Sequence, residues 1–207
     1  MHTVFLHGLG QTASTWEQTV SHLSLSDEIL CPDLFPMIGG QEVTYSNLYR
    51  AFSDYCAISA GRIRLCGLSL GAILALNYTI DHPERVESLV LMAPQYKMPR
   101  TLLNIQNAVF RLMPEKAFLE MGLSKKDVIS FMQSTLDLNF TGQLDGISCR
   151  TLILCGEKDS ANKKSALTLS EKIPGAGIQF VEGAGHELNR EDPRRLGEIL
   201  NQFFAQA

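Results

Sequence analysis

Six times along this chain a short, nearly unbroken apolar run stops at a loop, and helical patterns lie between the runs. The runs are Thr3–Leu6, Glu28–Pro32, Arg62–Cys66, Val86–Met92, Arg150–Cys155 and Gly177–Val181. A strand that is apolar on both faces must be covered on both faces, and strand–helix alternation supplies that cover. The pattern predicts an α/β fold: a mainly parallel sheet with helices on both sides. At 207 residues the chain suits one domain, 1–207, with a sizeable core.

Apolar residues at helical spacing mark the intervening segments. Ala13, Trp16, Val20 and Leu23 share one side of a helix predicted within Thr12–Leu25. Leu48, Phe52, Tyr55 and Cys56 do the same for Tyr45–Ala60, with Gly61 suited to its end. Further helices are predicted over Ser69–Asp81, Ser165–Ile173 and Pro193–Phe204, the last with proline in its first turn. Between Ala93 and Cys149 the rhythm breaks. More than fifty residues there carry no strand pattern. They hold helical patterns instead: Leu102-Ile105-Val109-Leu112, Phe118-Leu119-Met121 and Val128-Phe131-Met132. An insertion that long, where one crossover helix would suffice, usually has a function.

The third run ends in "LCGLSLGA", which sets Ser69 between Gly67 and Gly71 where strand turns into helix. A serine hydroxyl is a poor nucleophile without a base, oxyanion donors and exposure. A sharp strand–helix turn provides the exposure, and glycines on either side remove the collisions that such a turn would cause. The helix dipole then favours negative charge beside the hydroxyl. A base and an acid should follow in loops after later strands. "LILCGEKDSAN" places Asp159 past the fifth run, and "IQFVEGAGHELNRED" places His186 past the sixth. The order Ser69, Asp159, His186 is the one this motif takes on a parallel sheet. In these roles His186 takes and returns the Ser69 proton, and Asp159 fixes the imidazole tautomer. Glu157, Asp137 and Asp145 are the rival acids. The first run ends in "HGLG", a loop able to set an amide opposite the one that follows the serine. The backbone N–H groups of Leu9 and Leu70 are the candidate oxyanion hole, with His7 shaping the loop.

Composition narrows the partners. A net charge of -4 gives no electrostatic reason to expect nucleic acid or an anionic membrane. Cysteines at 31, 56, 66, 149 and 155 are odd in number and form no CxxC, which argues against a disulfide framework and a zinc site and for reduced thiols in the cytoplasm. The N-terminal apolar stretch is too short for a signal peptide, and no run approaches the ~20 residues that span a bilayer. No metal is called for, because His186 lacks spaced partner ligands. No organic cofactor is called for either, because no GxGxxG or phosphate loop occurs. The oligomeric state leaves no mark in the sequence.

Together "FLHGLGQTASTW", "CPDL", "LCGLSLGA", "LILCGEKD" and "GAGHELNREDP" resemble the α/β-hydrolase family across essentially the whole chain outside 94–146. "PDLFPMIGG" departs from the Pro-Gly-His-Gly turn usual in that family. The resemblance implies a sheet whose first strand stands where the family's third usually does, and a helical lid formed by 94–146. It also implies serine hydrolase chemistry. A serine nucleophile disfavours epoxide hydrolysis and dehalogenation, which use a carboxylate. The lid residues Phe110, Met113 and Met121, together with His7, are candidates for lining a substrate site. The leading reading is a serine carboxylesterase for small or medium apolar esters, working through an acyl-enzyme. Two alternatives stand beside it. One is a carbon–carbon hydrolase or lyase, like that of menaquinone biosynthesis, acting on an acidic substrate held by Lys97, Arg100 or Arg111. The other is a ligand-sensing module that retains the triad.

Overall fold

The computed structural model describes residues 1–58, 61–99, 112–119 and 123–205. The candidate lining residues Phe110 and Met121 lie outside these, as do Arg100, Arg111 and the predicted pattern Leu102-Ile105-Val109.

The six apolar runs form one sheet. Its strands are β1 (His2–Leu6), β2 (Glu28–Leu30), β3 (Ile63–Leu68), β4 (Val86–Met92), β5 (Arg150–Gly156) and β6 (Gly177–Val181). They lie in the order β2-β1-β3-β4-β5-β6, and every neighbouring pair is parallel. Successive side chains alternate between two apolar cores. Val4, Leu6, Ile63, Leu65, Leu89, Leu91 and Ile153 enter one. Phe5, Cys66, Leu68, Val90, Met92 and Leu154 enter the other. That period of two, apolar on both sides, produces the unbroken runs seen in the sequence.

Helices cover both faces: α1 (Glu17–Ser21), α2 (Tyr45–Ala57), α3 (Leu70–Asp81), α4 (Lys116–Leu119), α5 (Lys125–Ser134), α6 (Ser160–Lys172), α7 (Leu188–Glu191) and α8 (Pro193–Ala205). The helix predicted within Thr12–Leu25 is much shorter and begins with a 3-10 turn, Ala13–Trp16. Its end has a clear cause. The Asn201 side chain of α8 accepts from Ser24 N–H at 2.8 Å and donates to His22 O at 2.8 Å, which holds the chain out of a further turn. Conversely, α6 starts at Ser160 rather than Ser165. Its first turns bury Asn162 and Ser165, polar residues that hide the helical period from a hydrophobicity reading.

The segment leaving β4 is pinned at its base. Met98 N–H donates to Leu138 O at 3.0 Å and Phe140 N–H to Tyr96 O at 2.8 Å, around an isolated antiparallel bridge between Lys97 and Asn139. A capping box of Ser124 and Asp127 starts α5, and Phe131 meets the Phe35 ring edge-on at 5.3 Å. No helix among the described residues is long and apolar enough to cross a membrane.

Candidate active site

Because every strand runs the same way, the loops leaving β1, β3, β5 and β6 share the carboxyl edge of the sheet, where open α/β sheets bind ligands. Ser69 leaves β3 with φ 53° and ψ -109°. Ala93, at the end of neighbouring β4, has φ 47°. Both are left-handed positions that cost a non-glycine residue energy and cluster at functional sites. The turn is held by Ser69 N–H donating to Met92 O at 2.9 Å. It also needs its glycines. A Cβ on Gly67 would stand 2.2 Å from Gly71 O, and one on Gly71 would stand 2.1 Å from Leu6 O. A serine at a helix N-cap normally bonds an amide of its own helix. Ser69 does not, and among the described residues its hydroxyl makes no hydrogen bond, to His186 or to any other group.

The β1 loop lies directly alongside. A Cβ on Gly8 would be 3.6 Å from Ser69 Cβ and 3.7 Å from Leu68 O. The N–H of Leu70 opens α3, so it has no partner within the helix. His7 is 2% exposed and supports this loop from beneath. Its Nδ1 donates to Gly8 O at 2.9 Å and its Nε2 accepts from Leu34 N–H at 3.1 Å. Those two bonds fix a neutral tautomer, and burial lowers the His7 pKa below its ordinary value despite the Gly8 bond and Asp33 nearby. With both nitrogens occupied, His7 ties the loop after β1 to the chain beyond β2. Met113 is half-buried against the same core cluster as Leu9, and its carbonyl accepts from Lys125 Nζ at 2.7 Å.

Asp159 and His186 are brought together. His186 Nδ1 stands 2.8 Å from Asp159 Oδ2, with the carboxylate side chain 5% exposed and the imidazole 44% exposed. The two loops are stitched by Glu157 N–H to Val181 O at 2.9 Å and Lys158 N–H to Ala184 O at 2.8 Å. They touch so closely that a Cβ on Gly156 would stand 1.9 Å from Gly185 O. The rival acid Glu157 accepts from Gly183 N–H at 2.9 Å and lies on the exposed outer side of this turn. The Glu191 carboxylate brackets the histidine: it accepts from Gly185 N–H at 2.7 Å and from Glu187 N–H at 3.0 Å.

Three polar residues at the site carry no sequence signal. Asn162 donates to both Asp159 oxygens, and Gln95 donates to Asn162. Gln11 ties the β1 loop to the histidine loop. Its Oε1 accepts from Gly8 N–H at 3.2 Å and from Asn189 Nδ2 at 3.1 Å, while its Nε2 donates to Glu187 Oε1 at 2.9 Å and Asn189 Oδ1 at 3.2 Å. Side-chain amides that are buried, as Gln11 and Asn162 are, or half-buried, as Gln95 is, look like any other polar residue in a single sequence, and nothing in the spacing singles these out.

Known proteins place the chain. It is 24% identical to the biotin biosynthesis bifunctional protein BioHC of Teredinibacter turnerae over 98% of this chain and 44% of that protein. The chain thus spans under half of that relative. It is 23% identical to the uncharacterized carboxylesterase nap of Bacillus subtilis, covering 97% of this chain and 78% of nap. Its fold superposes on MenH from S. aureus with a TM-score of 0.82 at 17% identity, over 100% of this chain and 94% of that one. A family model described as the alpha/beta hydrolase family matches residues 3–199, and the chain belongs to that family.

Proposed function

We propose that the protein is a serine hydrolase that cleaves small or medium apolar carboxylic esters through an acyl-enzyme. The observation that carries this is the His186–Asp159 pair at 2.8 Å, on the same sheet edge as the left-handed Ser69 turn. In this reading His186 Nε2 takes the Ser69 proton as Oγ attacks the ester carbonyl. Asp159 holds Nδ1–H and stabilises the imidazolium. The Leu9 and Leu70 amides receive the developing oxyanion, aided by the start of α3. His186 then passes its proton to the departing alkoxide. Water repeats the sequence on the acyl group and frees Ser69. A serine–imidazole hydrogen bond that is unmade in the free enzyme commonly forms only with substrate bound. The name of the carboxylesterase nap supports ester chemistry; the likeness to MenH supports the fold alone.

A fluorophosphonate probe tests the reading. Wild type should be labelled at Ser69. Ser69→Ala and His186→Ala should lose labelling, and both should lose p-nitrophenyl butyrate hydrolysis by at least ~1000-fold. Labelling of wild type at another residue, or ester turnover that survives in Ser69→Ala, overturns it. Turnover of an acidic carbon–carbon substrate with no ester cleavage would favour the lyase reading instead.

A further inference from the structure

Asp159 sits at the N-cap of α6, where an aspartate ordinarily accepts amide protons from the first turn. It makes no such bond. The third residue of the helix, Asn162, takes the place of those amides. It is 7% exposed, and its Nδ2 stands 2.9 Å from Asp159 Oδ1 and 2.8 Å from Oδ2. The same nitrogen lies 3.2 Å from His186 Nδ1. Asn162 Oδ1 accepts from Gln95 Nε2 at 2.7 Å. Gln95 comes two residues after Ala93, on the chain leaving β4. That bond decides which way the amide points: flipped, Asn162 would turn its carbonyl oxygen toward the carboxylate and its NH2 toward another NH2.

We infer that Asn162 is a positioning residue for the acid–base pair, oriented by Gln95, and that it moderates the pull of Asp159 on His186. The inference rests on the proposed roles of Asp159 and His186. Its physical basis is competition. The Nδ1–H of His186 and the Asn162 amide are both donors, so they cannot bond each other and must share Asp159 Oδ2. Each hydrogen bond a carboxylate accepts from a neutral donor lowers its basicity and leaves less of its charge for the imidazolium. The amide also restrains rotation of the carboxylate, so that Oδ2 stays toward Nδ1. Asn162 therefore keeps the pair aligned while favouring release of the imidazole proton, which leaves more of His186 in the form that acts as base.

Two variants and two readouts test this. Asn162→Leu removes both amide bonds at similar volume; Gln95→Met leaves Asn162 in place but free to flip. The first readout is the rate of fluorophosphonate labelling at Ser69 from about pH 5 to about pH 8. The second is a nitrogen-15 histidine NMR titration of His186, assigned by its loss in His186→Gln, which needs no turnover. In Asn162→Leu the midpoint of both curves should move to higher pH by about half a unit, and the plateau labelling rate should fall several-fold. Gln95→Met should move both midpoints the same way by less, and it tests the idea independently if Asn162→Leu fails to fold. The ionisable groups on the segments around the ring are Glu157, Lys158 and Asp159 before α6, Lys163 on it, Glu182 before the ring, Glu187, Arg190 and Glu191 after it, and Cys155, whose thiol donates to Asp159 O. None of these is altered in either variant. Burial pushes the Cys155 thiol up to about 11, so it stays neutral throughout. A fall in plateau rate with unmoved midpoints would mean simple packing and overturns the inference, as do curves that match wild type. Absence of Ser69 labelling in wild type would instead overturn the hydrolase reading, and the NMR titration alone would then decide the role of Asn162.

Discussion

At the scale of single residues, the site is built where side chains are missing. Gly67, Gly71 and Gly156 each stand against a backbone oxygen at a distance no Cβ tolerates. Gly71→Ala should therefore cost more than about 3 kcal/mol of unfolding free energy or leave the protein insoluble, because the obstruction is the β1 backbone itself. Gly142→Ala, with nothing within 4 Å of the added carbon, should stay within about 0.5 kcal/mol of wild type. Urea unfolding of the two variants checks the contrast; equal effects would mean that β1 and α3 can separate without penalty. Gly67, Ser69 and Gly71 were legible in the sequence because a strained turn restricts residue type at fixed spacing. The pairing of Asp159 with His186 was legible because parallel strands bring the loops after β5 and β6 to one edge of the sheet. Asn162 and Gln11 were not, since a buried amide is specified by partners distant in sequence: Gln11 bonds residues 187 and 189.

At the scale of elements, the strands followed their runs closely, and β4 and β6 have the bounds read from the sequence. The four inner strands β1, β3, β4 and β5 are buried almost throughout, so their apolar runs carry over directly, whereas the edge strands β2 and β6 are half-buried or exposed at most positions. Helix ends did not follow as well. α1 is stopped by Asn201 of α8, a contact no local pattern contains. One imidazole joins two elements at the site's floor: His7, at the end of β1, accepts from Leu34 N–H beyond β2. This bond requires a neutral ring, and the pH dependence follows from its sign. The ordinary value is 6.5, and burial lowers it in the folded chain. As pH falls below 6.5 the unfolded chain takes up a proton that the folded chain refuses. Stability should therefore fall on acidification by up to about 1.4 kcal/mol per pH unit, then level off once the folded ring also protonates. Above 6.5 the group contributes no slope. His7→Gln should flatten this part of a plot of urea unfolding free energy against pH between about 7 and 5, above the range where carboxylates dominate. An unchanged slope would mean that His7 is not the group refusing the proton.

At the scale of the whole molecule, the two ends of the chain close on the same site. The β1 loop holds Gly8 against Ser69, and α7 follows directly from His186. The Gln11 and Asn189 side chains join them by a reciprocal pair of amide hydrogen bonds across 178 residues of sequence, at 4% and 1% exposure. Nearby, Phe5 and Trp16 pack at 5.1 Å between centroids in the core that α8 covers. A buried amide that loses its partner keeps its desolvation cost, whereas losing both partners together is far cheaper. Gln11→Leu and Asn189→Leu should each destabilise by about 1–3 kcal/mol. The double variant should fall short of their sum by about 1 kcal/mol or more, the signature of direct coupling in a double-mutant cycle. On the proposed ester chemistry, Gln11→Leu, which also releases Gly8 N–H and Glu187, should lose turnover beyond what its stability explains, with kcat reduced more than KM is raised. Strict additivity in both stability and turnover would mean that the first and last segments are anchored separately. The alignment of the Leu9 loop with the histidine loop would then have to come from the sheet alone.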